Sequence, residues 1–113
     1  MKNPLPKVRA SHILLSYEGA IESTHSREIY FAVYEAKNII AELKRGGYSW
    51  STAVKEHSAC PLSWYRDGDL GWFDITDGVT PELYYATLTA PKDELLDEPI
   101  QTPYGIHIIT RTG

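Results

Sequence analysis

The chain has one cysteine, Cys60, so it can form neither an intramolecular disulfide nor a cysteine-rich zinc site. A lone cysteine, taken by itself, is more often a small buried apolar residue than a reactive one. Long apolar runs are also missing: none approaches the ~20 residues that a transmembrane helix needs. The N-terminus, Met1-Lys2-Asn3-Pro4-Leu5-Pro6-Lys7, lacks the apolar middle of a signal peptide. A complete chain with that start is expected in the cytoplasm. Positive charge is in deficit, with 11 Lys and Arg against 15 Asp and Glu, a net charge of −4. That balance argues against nucleic acid and anionic membrane surfaces as partners. There are no internal repeats and no low-complexity tracts.

What remains is an ordinary globular composition, 42% hydrophobic and 23% charged, over 113 residues. That length suits one domain with one core, stable without metal or disulfides. Residues 1–6 read as a flexible, proline-bearing lead-in, and 7–113 as the domain.

Lys7 to Leu15 reads as a first strand whose apolar density rises toward its end, which predicts burial on both faces. Alternation puts Val8, Ala10, His12 and Leu14 on one face. A first helix is expected from an N-cap at Ser26, with Glu28 in its first turn. It carries the stripe Ile29, Ala32, Val33, Ala36, Ile40 and Leu43 and stops at Gly46-Gly47. A short helix is expected from Trp50 to His57, capped by Ser49 or Ser51. A loop with Cys60 near its start precedes a strand from Asp69 to Phe73. Thr80-Pro81 opens a further helix to about Leu88, with Leu83, Ala86 and Leu88 inward. Leu95-Leu96 leads into a third strand ending near Glu98-Pro99-Ile100. A turn at Thr102 to Gly105 precedes the last strand, Ile106 to Arg111. Helices interrupting strands in this order indicate an α+β domain with a small, mostly antiparallel sheet.

Residues 57–73 read His-Ser-Ala-Cys-Pro-Leu-Ser-Trp-Tyr-Arg-Asp-Gly-Asp-Leu-Gly-Trp-Phe. A Cys-Pro, a polar loop and then Gly-Asp-Leu-Gly-Trp-Phe resembles the active-site loop and second strand of the parvulin family of peptidyl-prolyl cis/trans isomerases. Three more blocks carry the resemblance: Arg9 to Leu15, Glu35 to Gly47, and Thr102 to Ile109. Together the blocks reach from Val8 to Arg111.

The resemblance implies a four-stranded antiparallel sheet wrapped by helices, in the order β-α-α-α-β-α-β-β. It implies that His12 and His107 face each other under the catalytic pocket, with Cys60 and Thr102 in the same hydrogen-bonding network. The proline pocket is then expected from Leu70, Phe73, Val79 and Leu83, with Tyr104 beside it. The implied reaction is non-covalent rotation about X-Pro bonds, through desolvation and hydrogen bonding. No cofactor and no metal are expected. The implied partners are proline-containing peptides or unfolded chains bound by a monomer.

Departures from the family pattern are a longer loop after Cys60 carrying Trp64-Tyr65-Arg66, Leu83 in place of Phe or Met, Tyr104 in place of Phe or Ser, and a longer segment from Asp74 to Gly78. Phosphate-directed members carry basic residues after the first strand. Here Ser16-Tyr17-Glu18-Gly19 and Glu22 stand there, so no phospho-specificity is expected. The alternative is a parvulin-fold chaperone or peptide-binding domain with little or no activity. A Cys-His hydrolase would need a thiolate, a base and an oxyanion hole, for which no local signature exists. A metal site from His12, His107, Cys60 and an acid competes with the hydrogen-bond network that the resemblance implies.

Overall fold

The computed structural model describes residues 5–113, so residues 1–4 of the expected lead-in lie outside the described residues. The elements are β1 (Val8–Leu15), α1 (Ile29–Arg45), α2 (Trp50–His57), a single 3-10 turn (Trp64–Arg66), β2 (Asp69–Phe73), α3 (Pro81–Thr89), β3 (Ile100–Thr102) and β4 (Gly105–Arg111). The four strands form one antiparallel sheet in the order β2-β1-β4-β3. The expected fold class is the one observed, and the order of elements agrees except that a single 3-10 turn stands where a third helix was expected before β2.

The sheet is covered on both faces, and alternation along β1 and β4 divides the core in two. Ile13, Leu15, Ile106 and Ile108 pack against Ala32, Ala36, Ile39 and Ile40 of α1 and Ala53 and Val54 of α2. Val8, Ala10 and Ile109 face the other way, against Phe73 and against Leu83 and Tyr84 of α3. The Tyr84 hydroxyl donates to the Pro6 carbonyl at 2.6 Å, which ties the entry of β1 to α3.

Strict alternation would put Leu70 and Phe73 on opposite faces of β2. The pairing instead slips between Arg9↔Trp72 and Ser11↔Asp69, so Leu70 and Gly71 together oppose Ala10. This β-bulge, made at Gly71 with φ +73°, resets the parity. Leu70 thereby joins Phe73 on the α3 face.

Past the bulge the chain continues along the same edge of β1. The His12 N–H donates to the Gly68 carbonyl at 2.9 Å. Two residues on, the Leu14 N–H donates to Ser58 Oγ at 3.1 Å and its carbonyl accepts from Ala59 N–H at 2.7 Å. The Cys60 loop is therefore an excursion of the chain, pinned at both ends to one edge of one strand. Its outer part is clasped to α2. Trp64 Nε1 donates to the Lys55 carbonyl at 3.2 Å, and the Lys55 ammonium lies 3.9 Å from the Trp64 ring centroid. Trp50 Nε1 donates to the Asp67 carbonyl at 2.7 Å.

Three expectations are corrected. Helix α1 starts at Ile29 with Glu28, not Ser26, as N-cap. The Arg27 carbonyl is already taken by the Glu18 N–H, whereas Glu28 O receives the first helical bonds from Phe31 and Ala32. The third strand begins at Ile100 instead of ending there. Leu95 makes only a single bridge to Thr110, and Pro99 can donate no ladder bond. In α3 the fully buried residues are Leu83, Tyr84 and Thr87, with Ala86 and Leu88 only partly buried. Ser49 caps α2 as expected, accepting from the Thr52 N–H at 3.2 Å.

Gly68 has φ +81°, and a Cβ there would collide with the backbone of His12. Gly68→Ala is expected to lower stability by about 2 kcal/mol or more, read from the urea midpoint. A change below about 0.5 kcal/mol would show that this edge has slack.

Candidate active site

His12 on β1 pairs with Ile109, and His107 on β4 pairs with Leu14. The two histidines are therefore diagonal neighbours on the α3 face, within reach of each other. Their Nδ1 atoms are 2.9 Å apart and their rings stack at 5.1 Å between centroids. Both are buried, at 3% and 4% exposure.

The hydrogen bonds assign the protons. Thr102 Oγ1 accepts from the Tyr104 N–H at 3.2 Å and lies 2.6 Å from His107 Nε2. The hydroxyl proton has no other described acceptor, so we assign it to His107 Nε2. The proton of His107 then sits on Nδ1 and is donated to His12 Nδ1. The proton of His12 is left on Nε2, which meets no partner among the described residues. Thr102, His107 and His12 form one directed chain that ends on an unused donor.

Burial pushes the His12 pKa down to about 4, and burial together with the neighbouring His12 pushes His107 down to about 3. Both rings are therefore neutral at pH 7, with His107 Nδ1 the donor and His12 Nδ1 the acceptor of the shared bond.

Above the pair lies a cavity of about 830 Å³, within the usual range for ligand sites. His12, His107, Cys60, Leu70, Val79, Leu83 and Tyr104 all line it. Thr102 is 2% exposed and does not; it reaches the cavity only through His107. Phe73 does not line it either. At 2% exposure it packs among Val8, Leu83 and Tyr84, beneath the wall and not on it. Cys60 is partly exposed, and no described side chain is hydrogen-bonded to its sulfur, so it lines the cavity but stands outside the hydrogen-bonding network in which it was expected. Among the described residues no group of three or more His, Cys, Asp or Glu is arranged to hold a metal.

The sequence reading missed part of the wall. Ile21 and His25 come from the loop after β1, beside Glu22 of the segment already read as lacking phosphate-binding cations, and Trp64 from the loop after Cys60. The first loop is folded over the site because the Tyr17 hydroxyl donates to the Thr102 carbonyl at 3.1 Å and the Ile21 N–H to the Pro103 carbonyl at 2.9 Å. An isoleucine inside a polar loop was the one signal available.

The lowered histidine pKa values fix a pH window. The unfolded chain binds protons on these histidines from about pH 6.5 downward, and the folded chain only near 4 and 3. Stability from the neutral pair is thus full above pH 6.5 and is lost as pH falls toward 4. The loss is about 1.4 kcal/mol per pH unit per histidine. Urea midpoints at pH 7, 6 and 5 are expected to fall in wild type and to flatten in His12→Asn/His107→Asn. Equal slopes in the two proteins would contradict a neutral buried pair.

The model of the PPIC-type PPIase domain matches residues 1–113. Among curated proteins, the chain is 35% identical over 108 residues to foldase protein PrsA 2 of Bacillus anthracis, covering 96% of this chain and 32% of that protein. It is 35% identical over 74 residues to a probable parvulin-type peptidyl-prolyl cis-trans isomerase of Bordetella pertussis, covering 66% and 28%. The chain thus spans about a third of the length of these relatives. Among solved structures, it superimposes on peptidyl-prolyl isomerase ESS1 of Candida albicans with a TM-score of 0.86 at 26% identity, over 95% of this chain and 63% of that one. The expected cytoplasmic location gains no support from these comparisons. A directed Thr–His–His chain under an apolar cavity, in a fold matched over its whole length, leads to one assignment: the chain belongs to the PPIC-type peptidyl-prolyl isomerase, or parvulin, family.

Proposed function

We propose that this domain accelerates cis/trans rotation about X-Pro bonds in peptides and unfolded protein chains, acting as a monomer. The observation that carries the reading is the pairing of an apolar cup with a neutral, buried histidine floor in one cavity.

The C–N bond resists rotation by about 18–20 kcal/mol because of amide resonance. A catalyst need only bind the twisted amide better than the planar one. Leu70, Val79 and Leu83 offer an apolar cup for the proline ring, with Tyr104 on the rim. Removing water disfavours the charge-separated, planar resonance form. Neutral histidines serve the same end, since an imidazolium donating to the carbonyl oxygen would strengthen the double-bond character of C–N. Thr102 keeps His107 in the required tautomer.

Cys60 lines the cavity with no hydrogen-bond partner among the described residues, which favours an electrostatic role over attack on the amide. A carboxylate at this position would also oppose negative charge on the carbonyl oxygen. Cys60→Asp is therefore expected to keep substantial activity, and Cys60→Ala to lose more. Inactive but folded Cys60→Asp would argue for a nucleophilic cysteine.

Among the described residues no lysine or arginine lines the cavity, and Arg27, the cation nearest in sequence, donates to Glu35 at 2.6 Å. This supports a site without phospho-specificity. Exchange NMR on short X-Pro peptides tests both parts of the proposal. Catalytic amounts of protein are expected to speed exchange, with no gain when X is phosphoserine. Binding without acceleration would make this a peptide-holding domain, and a large phosphoserine preference would overturn the second part.

A further inference from the structure

The cavity has a collar as well as a cup. Four large apolar residues that line it are exposed: Ile21, Leu62, Trp64 and Tyr104. Ile21 and Tyr104 stand on the β4 side, where the Ile21 N–H meets the Pro103 carbonyl. Leu62 and Trp64 stand across from them, on the Cys60 loop, which is pinned to the other edge of β1. We infer that Leu62 and Trp64 form a second, apolar subsite that binds an aromatic or large aliphatic side chain of the substrate two or more residues from the proline. This deepens the isomerase reading and rests on it. Both residues lie in the lengthened loop by which the chain departs from the family pattern, so the resemblance does not supply this subsite.

Three observations carry the inference. First, the loop turns the usual order of burial inside out. Ser63 is 1% exposed, whereas its neighbours Leu62 and Trp64 are 77% and 41% exposed. The Ser63 carbonyl accepts from the Arg66 and Gly68 N–H groups at 2.9 and 2.8 Å, so the backbone fixes this inversion. Large apolar side chains gathered at the mouth of a cavity mark a surface for a ligand to cover. Second, the indole is ordered in advance. Its Nε1 donates to the Lys55 carbonyl at 3.2 Å, and the Lys55 ammonium lies 3.9 Å from the ring centroid and donates to the Trp64 carbonyl at 3.3 Å. The ring has little rotamer freedom left to lose, and its one polar group is already paired, so what it offers a ligand is apolar. Third, the cup and Trp64 lie apart. Leu70, Val79 and Leu83 pack with the α3 layer, whereas Trp64 is clasped to α2, which covers the opposite face of the sheet. A chain advances only about 3.3–3.6 Å per residue, so a proline in the cup reaches Trp64 through intervening residues. A cavity of about 830 Å³ is large enough for both side chains.

The probes are blocked alanine heptapeptides with a central proline, in which one Phe is placed at each of the other positions in turn. Chemical-shift titration gives Kd and exchange NMR gives kcat/KM. The Trp64 indole N–H resonance, assigned through Trp64→Phe, reports on the subsite itself.

Phe two or three residues from the proline, on one side, is expected to tighten binding about 3- to 10-fold over the all-alanine peptide, as half-burial of an aromatic side chain would. The same peptides are expected to move the Trp64 indole resonance. The Phe-to-Ala ratio is expected to fall below about 2 in Leu62→Gln and in Trp64→Ala. Each ratio is taken within one protein, so a general effect of the substitution cancels, and Leu62 is too exposed for Leu62→Gln to threaten the fold. No gain at any position, a gain confined to the residues next to the proline, or a ratio that either substitution leaves unchanged would overturn the inference. A Trp64 indole resonance that moves on dilution without peptide would assign the patch to a second copy of this chain and overturn it too. If no peptide is turned over, the isomerase reading fails, and the Kd ratios still decide whether the subsite exists.

Discussion

The structure depends on one bond that ordinary aqueous chemistry would weaken: the 2.9 Å contact between the Nδ1 atoms of His12 and His107. Two imidazoles share a hydrogen bond through like atoms when one is protonated there and the other is not, and here burial makes them do so as a neutral pair. The sheet enforces both conditions. Antiparallel register makes the rings diagonal neighbours, and burial removes the water that would stabilise an imidazolium. Thr102 then sets the direction of the chain, and the last donor is left beneath the cavity. An unpaired buried donor costs about 1–3 kcal/mol, which is tolerable where a ligand is to be met.

The rest of the fold can be read as support for β1. Its two edges carry different duties. One edge takes β4 and so the second histidine. The other takes β2, then Gly68, then Ser58 and Ala59, which holds the Cys60 loop at the cavity. The α1 and α2 face is a continuous apolar core, while the α3 face is core at one end and site at the other. A strand buried on both faces thus serves as backing for one layer and as floor for the cavity.

Much of this was legible in the sequence where the signal is local. Strand Asp69–Phe73, the cap at Ser49 and the Thr80-Pro81 helix start follow from short-range patterns, and all are observed. The pairing of His12 with His107 is not local, because 95 positions separate them; only the resemblance to a family brought them together. Other failures have nameable causes. Leu95-Leu96 looks like strand, yet Pro99 and a single bridge leave it outside the ladder. Phe73 has the chemistry of a pocket wall, but α3 lies against it and makes it core. The bulge at Leu70-Gly71 decides which face Leu70 takes, and no alternation rule could place it.

The measurement closest to the centre of this account is the ¹⁵N spectrum of the imidazole nitrogens at pH 7, with His12 and His107 assigned by substitution. Two neutral rings are predicted, protonated at Nδ1 in His107 and at Nε2 in His12, and still neutral at pH 5. An imidazolium pattern for either ring at pH 7, or the opposite tautomers, would contradict the directed chain on which the proposed site is built.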